Sequence, residues 1–355
     1  MKYTLGLLPL VVTLGFAGAE FDGGCGETFT IKGYTKAWIY MFGAENHNPG
    51  SSFRGYNWTT FQGRLNENVY AYLGTNFKTW DGNSSLHICD VYLNMNITPE
   101  ISVKAGQFKI PLGWAYDCSG SGLYFLDRAA VTGTTDFNNY GGRDVGASLH
   151  GQIDMVGIDI AYFNGTGNDT DADTTIKKEI AAKVTVNPAE WLTLAGGFAM
   201  IGQPEVNDTT GTTVVEDWSS TAFDAYVLAD YPLSNTANLI FEGEFMQAGY
   251  AGPDMDNMEK TAGTAYYATL GVNIGLENAF LTSIMPAVRY ESLSPATQLA
   301  SGAADPEDNT TVMDFCLNCH ITPKNTIQLG GRNVSYESDS MDGYTDMYLG
   351  WRVNF

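Results

Sequence analysis

Positive charge is scarce in this chain of 355 residues: 18 Lys and Arg stand against 40 Asp and Glu, a formal net charge of −22. So acidic a chain excludes nucleic acid as a partner, because phosphate backbones are held by Lys and Arg. Cysteine is scarce too, five residues, an odd number that makes no disulfide framework. The four histidines (His47, His87, His150 and His320) fall on separate segments without metal-like spacing. No metal site and no cofactor is expected, and no catalytic set is legible; a His150-centred site with a neighbouring Ser is the one enzymatic reading weighed and set aside. Beyond residue 19 no apolar run reaches 18 residues, which excludes a transmembrane helix.

What is present lies at the two ends and in the alternation between them. Met1-Lys2-Tyr3-Thr4, an apolar run from Leu5 to Phe16 and Ala17-Gly18-Ala19 read as a secretory signal peptide over 1–19. The chain closes on Thr345 to Phe355. With a period of two, Thr345, Met347, Leu349, Trp351, Val353 and Phe355 form one face, and Asp346, Tyr348, Gly350, Arg352 and Asn354 the other. An apolar face, a polar face and an aromatic end fit a wall between lipid and a wet lumen. The terminal aromatic resembles the assembly signal of bacterial outer-membrane barrels, which assigns Phe355 that role and implies the barrel assembly machinery as a partner.

Between the ends, sixteen amphipathic runs of about ten residues are readable, from 30–42 to 343–355. Short connections carrying turn residues, such as Asn66-Glu67-Asn68 and Pro323-Lys324-Asn325, alternate with long ones rich in Gly, Asp, Asn, Thr and Ser. Short turns on one rim and long loops on the other define an outer-membrane barrel; a soluble sandwich has no reason to sort its loops by parity. The expected fold is therefore all-β: a 16-stranded antiparallel transmembrane β-barrel over 30–355, preceded by a periplasmic segment over 20–29. Alternation is poor along Lys104, Ala105, Gly106, Gln107 and Phe108, where a bulge or a contact between protomers is expected.

Specific residues add a family. Val103-Lys104-Ala105-Gly106-Gln107-Phe108-Lys109-Ile110-Pro111-Leu112-Gly113 is followed by Leu123-Tyr124-Phe125-Leu126-Asp127-Arg128 and Gly142-Arg143-Asp144-Val145-Gly146. Tyr162-Phe163-Asn164-Gly165 and Pro286-Ala287-Val288-Arg289-Tyr290 come later. In order and spacing these resemble the phosphate-selective porin O and P family. The resemblance implies a trimeric porin whose third long loop folds inward to narrow the pore. The departure from it is a depleted basic ladder. On the second strand only Arg54 and Arg64 stand on the assigned lumen face, and Lys32, Lys36, Arg289, Arg332 and Arg352 are the other basic residues expected to face the lumen.

Function is read accordingly as a passive channel for small hydrophilic solutes and ions, seated in outer-membrane lipid and lipopolysaccharide. Asp117, Asp127, Arg128, Asp136 and Arg143 are the candidates for the constriction, Arg128 and Arg143 serving either a transverse field or an ion pair that anchors the loop. Acidic loops, among them Asp169-Thr170-Asp171-Ala172-Asp173, suggest weak cation preference. The alternatives are an anion or phosphate channel, the sheath of a haem conduit, and a structural or receptor barrel with cation-binding loops. The haem reading rests on Cys316-Leu317-Asn318-Cys319-His320, which matches C-x-x-C-H. On a strand, residues three apart point to opposite faces, and two thioether bonds to one porphyrin need both sulfurs on one side. The remaining cysteines are scattered: Cys25 lies in the N-terminal segment, and Cys89 and Cys118 are expected to be unpaired thiols, with a pairing across the mouth in the oxidising periplasm as the alternative.

Overall fold

The structure, a computed structural model, describes residues 20–24, 27–42, 50–79, 86–133, 140–165, 178–202, 219–249, 258–260, 262–277, 280–296, 298–300, 309–337 and 342–355. The expected signal peptide, Asp136, Cys25, His47 and the 169–173 loop lie outside the described residues.

Sixteen strands make one wall: β1 Glu27–Phe42, β2 Gly50–Arg64, β3 Val69–Lys78, β4 Leu86–Asn96, β5 Ile101–Lys109, β6 Arg143–Ile153, β7 Val156–Phe163 and β8 Glu179–Ala189. The second half is β9 Leu192–Gly202, β10 Ser219–Ser234, β11 Ala237–Ala248, β12 Gly263–Gly275, β13 Ser283–Ser294, β14 Thr310–Thr322, β15 Asn325–Tyr336 and β16 Tyr344–Asn354. Each strand pairs antiparallel with the next, and β16 returns to β1 from Asp346↔Phe42 to Asn354↔Tyr34. Closure satisfies every strand's backbone within the wall, which hydrocarbon requires because it offers no hydrogen bonds. Phe355 finishes the seam: its backbone and that of Gly33 exchange N–H···O bonds of 3.0 and 2.9 Å. Gly33 is demanded there, since a Cβ would lie 2.1 Å from the Trp58 carbonyl and 2.8 Å from the Phe355 ring.

Number and order of strands are as the alternation predicts; the differences are at strand ends. β1 already begins at Glu27, so part of the segment 20–29 belongs to the wall, and Glu20–Gly24 folds back to pair with it. β8 and β10 run through Pro188 and Pro232, which their composition assigns to turns. Both prolines sit beside register shifts near strand ends, where a missing N–H is tolerated.

Two-residue periodicity decides which side chains meet lipid. On β16 Met347, Leu349 and Trp351 are exposed on the outer surface, while Asp346, Tyr348 and Arg352 are buried inside. β4 shows Val91, Leu93 and Met95 outward, and β14 shows Met313, Phe315 and Leu317. Near the short turns Trp191 and Tyr231 meet edge to face at 5.0 Å, an aromatic pair at the level where such barrels contact the membrane interface. The poor alternation of β5 comes from its neighbour. β4 carries an extra residue, Cys89, between Asp90 opposite Gly74 and Ile88 opposite Thr75. Gln107 is consequently buried and its side-chain amide donates to the Cys89 carbonyl at 2.8 Å. β5 itself keeps register with both neighbours.

Candidate functional site

The third long connection, between Lys109 and Arg143, turns into the barrel. It contains the one-turn helix α1 (Trp114–Asp117) and a 3-10 turn at Ala130–Gly133. Its apolar residues drive the docking. Phe125 and Leu126 are buried against Trp38, Tyr40, Ile240, Met285 and Tyr348 of the inner wall. Leu112, Ala115, Tyr116 and Val131 join a second cluster with Phe108, Phe163, Met246 and Tyr267. Removing that much apolar surface from water favours the inward path.

Backbone polar groups of the loop must then find partners in the wall. Glu244 on β11 accepts from the N–H groups of Trp114 (2.7 Å) and Ala115 (2.8 Å), the start of α1. Glu242 accepts from the Trp114 indole at 3.2 Å, and Glu291 on β13 from the Ala130 N–H. The loop carbonyls take the cations. Lys36 donates to Leu126 (3.0 Å), Arg352 to Leu123 (2.7 Å), and Arg289 and Arg332 to Arg128 (3.1 and 3.3 Å). Arg289 and Arg332 are themselves held by Asp314, with Arg332 Nε 2.8 Å from Oδ1 and Arg289 Nη2 2.5 Å from Oδ2. Pairing of this kind is what permits buried charge. Four of the expected lumenal basic residues thus serve as brackets for the loop.

The other expected residues fall as follows. Arg143 pairs with Asp90 on β4 (2.8 Å) and lies over Trp58, 5.3 Å from the ring centroid. Arg128 staples its own loop, donating to the carbonyls of Ala115 (2.8 Å) and Cys118 (2.7 Å). Asp117 pairs with Lys183 of β8 at 2.5 Å. Burial alone would raise the Asp117 carboxyl, but Lys183, together with Lys109 and Lys104, outweighs it and holds the group below the usual aspartate value. Asp127 faces the cavity, whereas Lys32 and Arg64 are exposed near the short-turn end, off its lining. Arg54 lies over Tyr40, 5.3 Å from the centroid. Cys89, Cys118, Cys316 and Cys319 form no disulfide with one another. On β14 the residues of Cys316's parity are buried inside and those of Cys319's parity face out, so the two sulfurs point to opposite faces.

Beside the loop remains a cavity of about 1010 Å³, bounded mainly by β1–β6 and β13–β16. Its wall is aromatic, with Tyr34, Trp38, Tyr56, Trp58, Tyr72, Tyr92 and Phe108. Among the described residues its charged lining is seven basic residues (Lys36, Lys78, Lys104, Lys109, Arg128, Arg143, Arg332) and three acidic ones (Asp90, Asp117, Asp127). Among the described residues no group of three or more His, Cys, Asp or Glu is placed to hold a metal ion.

A closed sixteen-stranded wall leaves an aqueous channel, and here a docked loop narrows it. The family model for phosphate-selective porin O and P matches residues 42–252, more than half of the chain. The chain belongs to that family. It is a porin of the bacterial outer membrane. Solved structures share its fold. The outer membrane channel DcaP of Acinetobacter baumannii has a TM-score of 0.63 at 13% identity, over 95% of this chain and 100% of that one. The anion-selective porin from Comamonas acidovorans has a TM-score of 0.60 at 13% identity, over 93% and 100%. OmpT of Vibrio cholerae in its trimer form has a TM-score of 0.56 at 12% identity, over 93% and 100%. At such identities the likeness speaks for the fold alone. No curated protein sequence matches the chain.

The porin's loop brackets include residues that sequence reasoning passed over: Glu242, Glu244, Glu291, Asp314, Lys109 and Lys183. A signal was available. Each is a charged residue inside a strand at the inward parity or beside the loop. Such residues need a partner across the lumen, but the pattern does not name it.

Proposed function

We propose that this porin is a passive diffusion channel for small hydrophilic solutes whose constriction favours anions. The observation that carries the reading is the lining beside loop 3, where the described residues are seven basic against three acidic. Rings of charge at a constriction set the sign of the ions that pass. The acidity of the whole chain points the other way, but it resides largely in long loops outside the described residues, such as Asp169, Asp171, Asp173, Asp305, Glu307 and Asp308. Charges at an open mouth are screened over about 8–10 Å near physiological ionic strength, whereas those at a narrow, partly desolvated constriction act at contact. The weak cation preference suggested by composition therefore yields to the anion reading. The likeness to an anion-selective porin is consistent with this reading. Solutes pass without chemical change on this reading, so no catalytic residue is assigned. A homotrimer is proposed as well, by analogy with the trimer form of OmpT, with the outward apolar belt meeting lipid and lipopolysaccharide and Phe355 serving the barrel assembly machinery.

The test is a reversal potential in planar bilayers under a KCl gradient. A potential of the sign set by chloride supports the reading, and one set by potassium overturns it. Lys104→Glu with Lys109→Gln should move the potential toward the potassium value.

A further inference from the structure

We propose that the lumen holds a subsite for small carboxylates bearing a flat ring, built on Lys104; the inference rests on the channel reading above. Five other cations of the cavity lining have oxygen partners in the structure. Arg143 is paired with Asp90 and Arg332 with Asp314, while Lys36, Lys109 and Arg128 donate to carbonyls of loop 3. Lys104 has no oxygen partner among the described residues. Its ammonium instead lies 4.9 Å from the ring centroids of both Tyr92 and Phe108. Ring quadrupoles attract a cation, but they leave its three N–H donors without acceptors. The group is half-buried and lines the cavity, so an anion entering from the loop side meets a positioned, incompletely bonded cation.

The surface beside that cation selects among anions. Tyr72 stacks on Tyr92, with centroids 4.8 Å apart and planes 14° from parallel. Both rings line the cavity and both remain partly exposed. A carboxylate would fill the donors of Lys104 while an attached planar ring lies in offset contact with the tyrosine surface. Inorganic phosphate or acetate can meet the charge but has no ring to present. The site therefore recognises a combination of negative charge and flat apolar surface, a different demand from phosphate selection.

The full-length porin in planar bilayers tests this. Ion current in KCl would be titrated with benzoate, acetate and inorganic phosphate, and the half-blocking concentration read for each. Benzoate should block at a concentration about fivefold lower than acetate or phosphate, the scale of one aromatic contact. Tyr72→Ala should erase that advantage. Lys104→Gln should weaken benzoate block about tenfold, and Lys104→Arg should largely restore it. Heat-modifiable gel migration verifies that each variant is a folded barrel. Equal block by benzoate and acetate, stronger block by phosphate, or benzoate block unchanged in Lys104→Gln overturns the subsite alone. Absence of KCl conductance in assembled wild-type protein refutes the channel reading itself.

Discussion

Replacing Glu244 should loosen the first half of loop 3 without unfolding the barrel. The residue is only 5% exposed, and its two carboxylate oxygens accept from two successive loop N–H groups at 2.7 and 2.8 Å. Hydrogen bonds to a charged group contribute about 1.5–3 kcal/mol each. Two would give about 3–6 kcal/mol, but a buried carboxylate also carries a desolvation penalty that a neutral side chain escapes. In Glu244→Gln one amide oxygen remains to accept and the NH₂ faces the second N–H, so the net loss is about 2 kcal/mol. That raises the undocked fraction of the segment around α1 about thirtyfold. Glu244→Ala leaves both donors without acceptors and should act more strongly. The segment 123–128 keeps its separate bonds to Lys36, Asn318 and Arg352, so the loop should fluctuate rather than leave. Single-channel recording should show larger open-channel current noise and a higher mean step for Gln, and more so for Ala. Noise and step identical to wild type in correctly assembled variants would refute the claim that Glu244 holds the constriction.

Removal of residues 119–126 should leave the barrel assembled, because no ladder bond is lost, but raise conductance and blunt charge selectivity; unchanged conductance would put the constriction elsewhere. Cys319 should be reached by a membrane-partitioning maleimide while buried Cys316 stays unlabelled in the folded barrel, and protein made in a host competent for cytochrome c maturation should be colourless. Equal labelling of both, or a Soret band that survives denaturation, would contradict their placement on opposite faces. Because the folded Asp117 carboxyl lies below its ordinary value of 3.8, its contribution to loop docking is complete above that value. It is lost only as pH falls through the lower, folded one. Conductance noise attributable to this pair should therefore be flat between pH 5 and pH 8 and rise only in strong acid. Asp117→Asn should raise the noise at neutral pH and remove the acid response.

Much of this molecule was legible from residues alone, and for one reason: a strand's inside and outside are settled by a period of two, which is local. Met347, Leu349 and Trp351 identify the lipid face of β16 without reference to any other strand, and the alternation of short and long connections yields the sixteen-stranded closure. The same rule placed Cys316 and Cys319 on opposite faces. Tertiary structure decided the constriction. Glu244 meets Trp114 and Arg352 meets Leu123 across separations of 130 and 229 residues, and nothing in either segment announces its partner. The sequence counts charges; only the path of loop 3 across the lumen sorts those that brace a backbone carbonyl from those that face a solute. That is why a chain of net charge −22 can surround a basic opening. Charge acts on a passing ion according to distance and exposure, and those are properties of the folded lumen rather than of the composition.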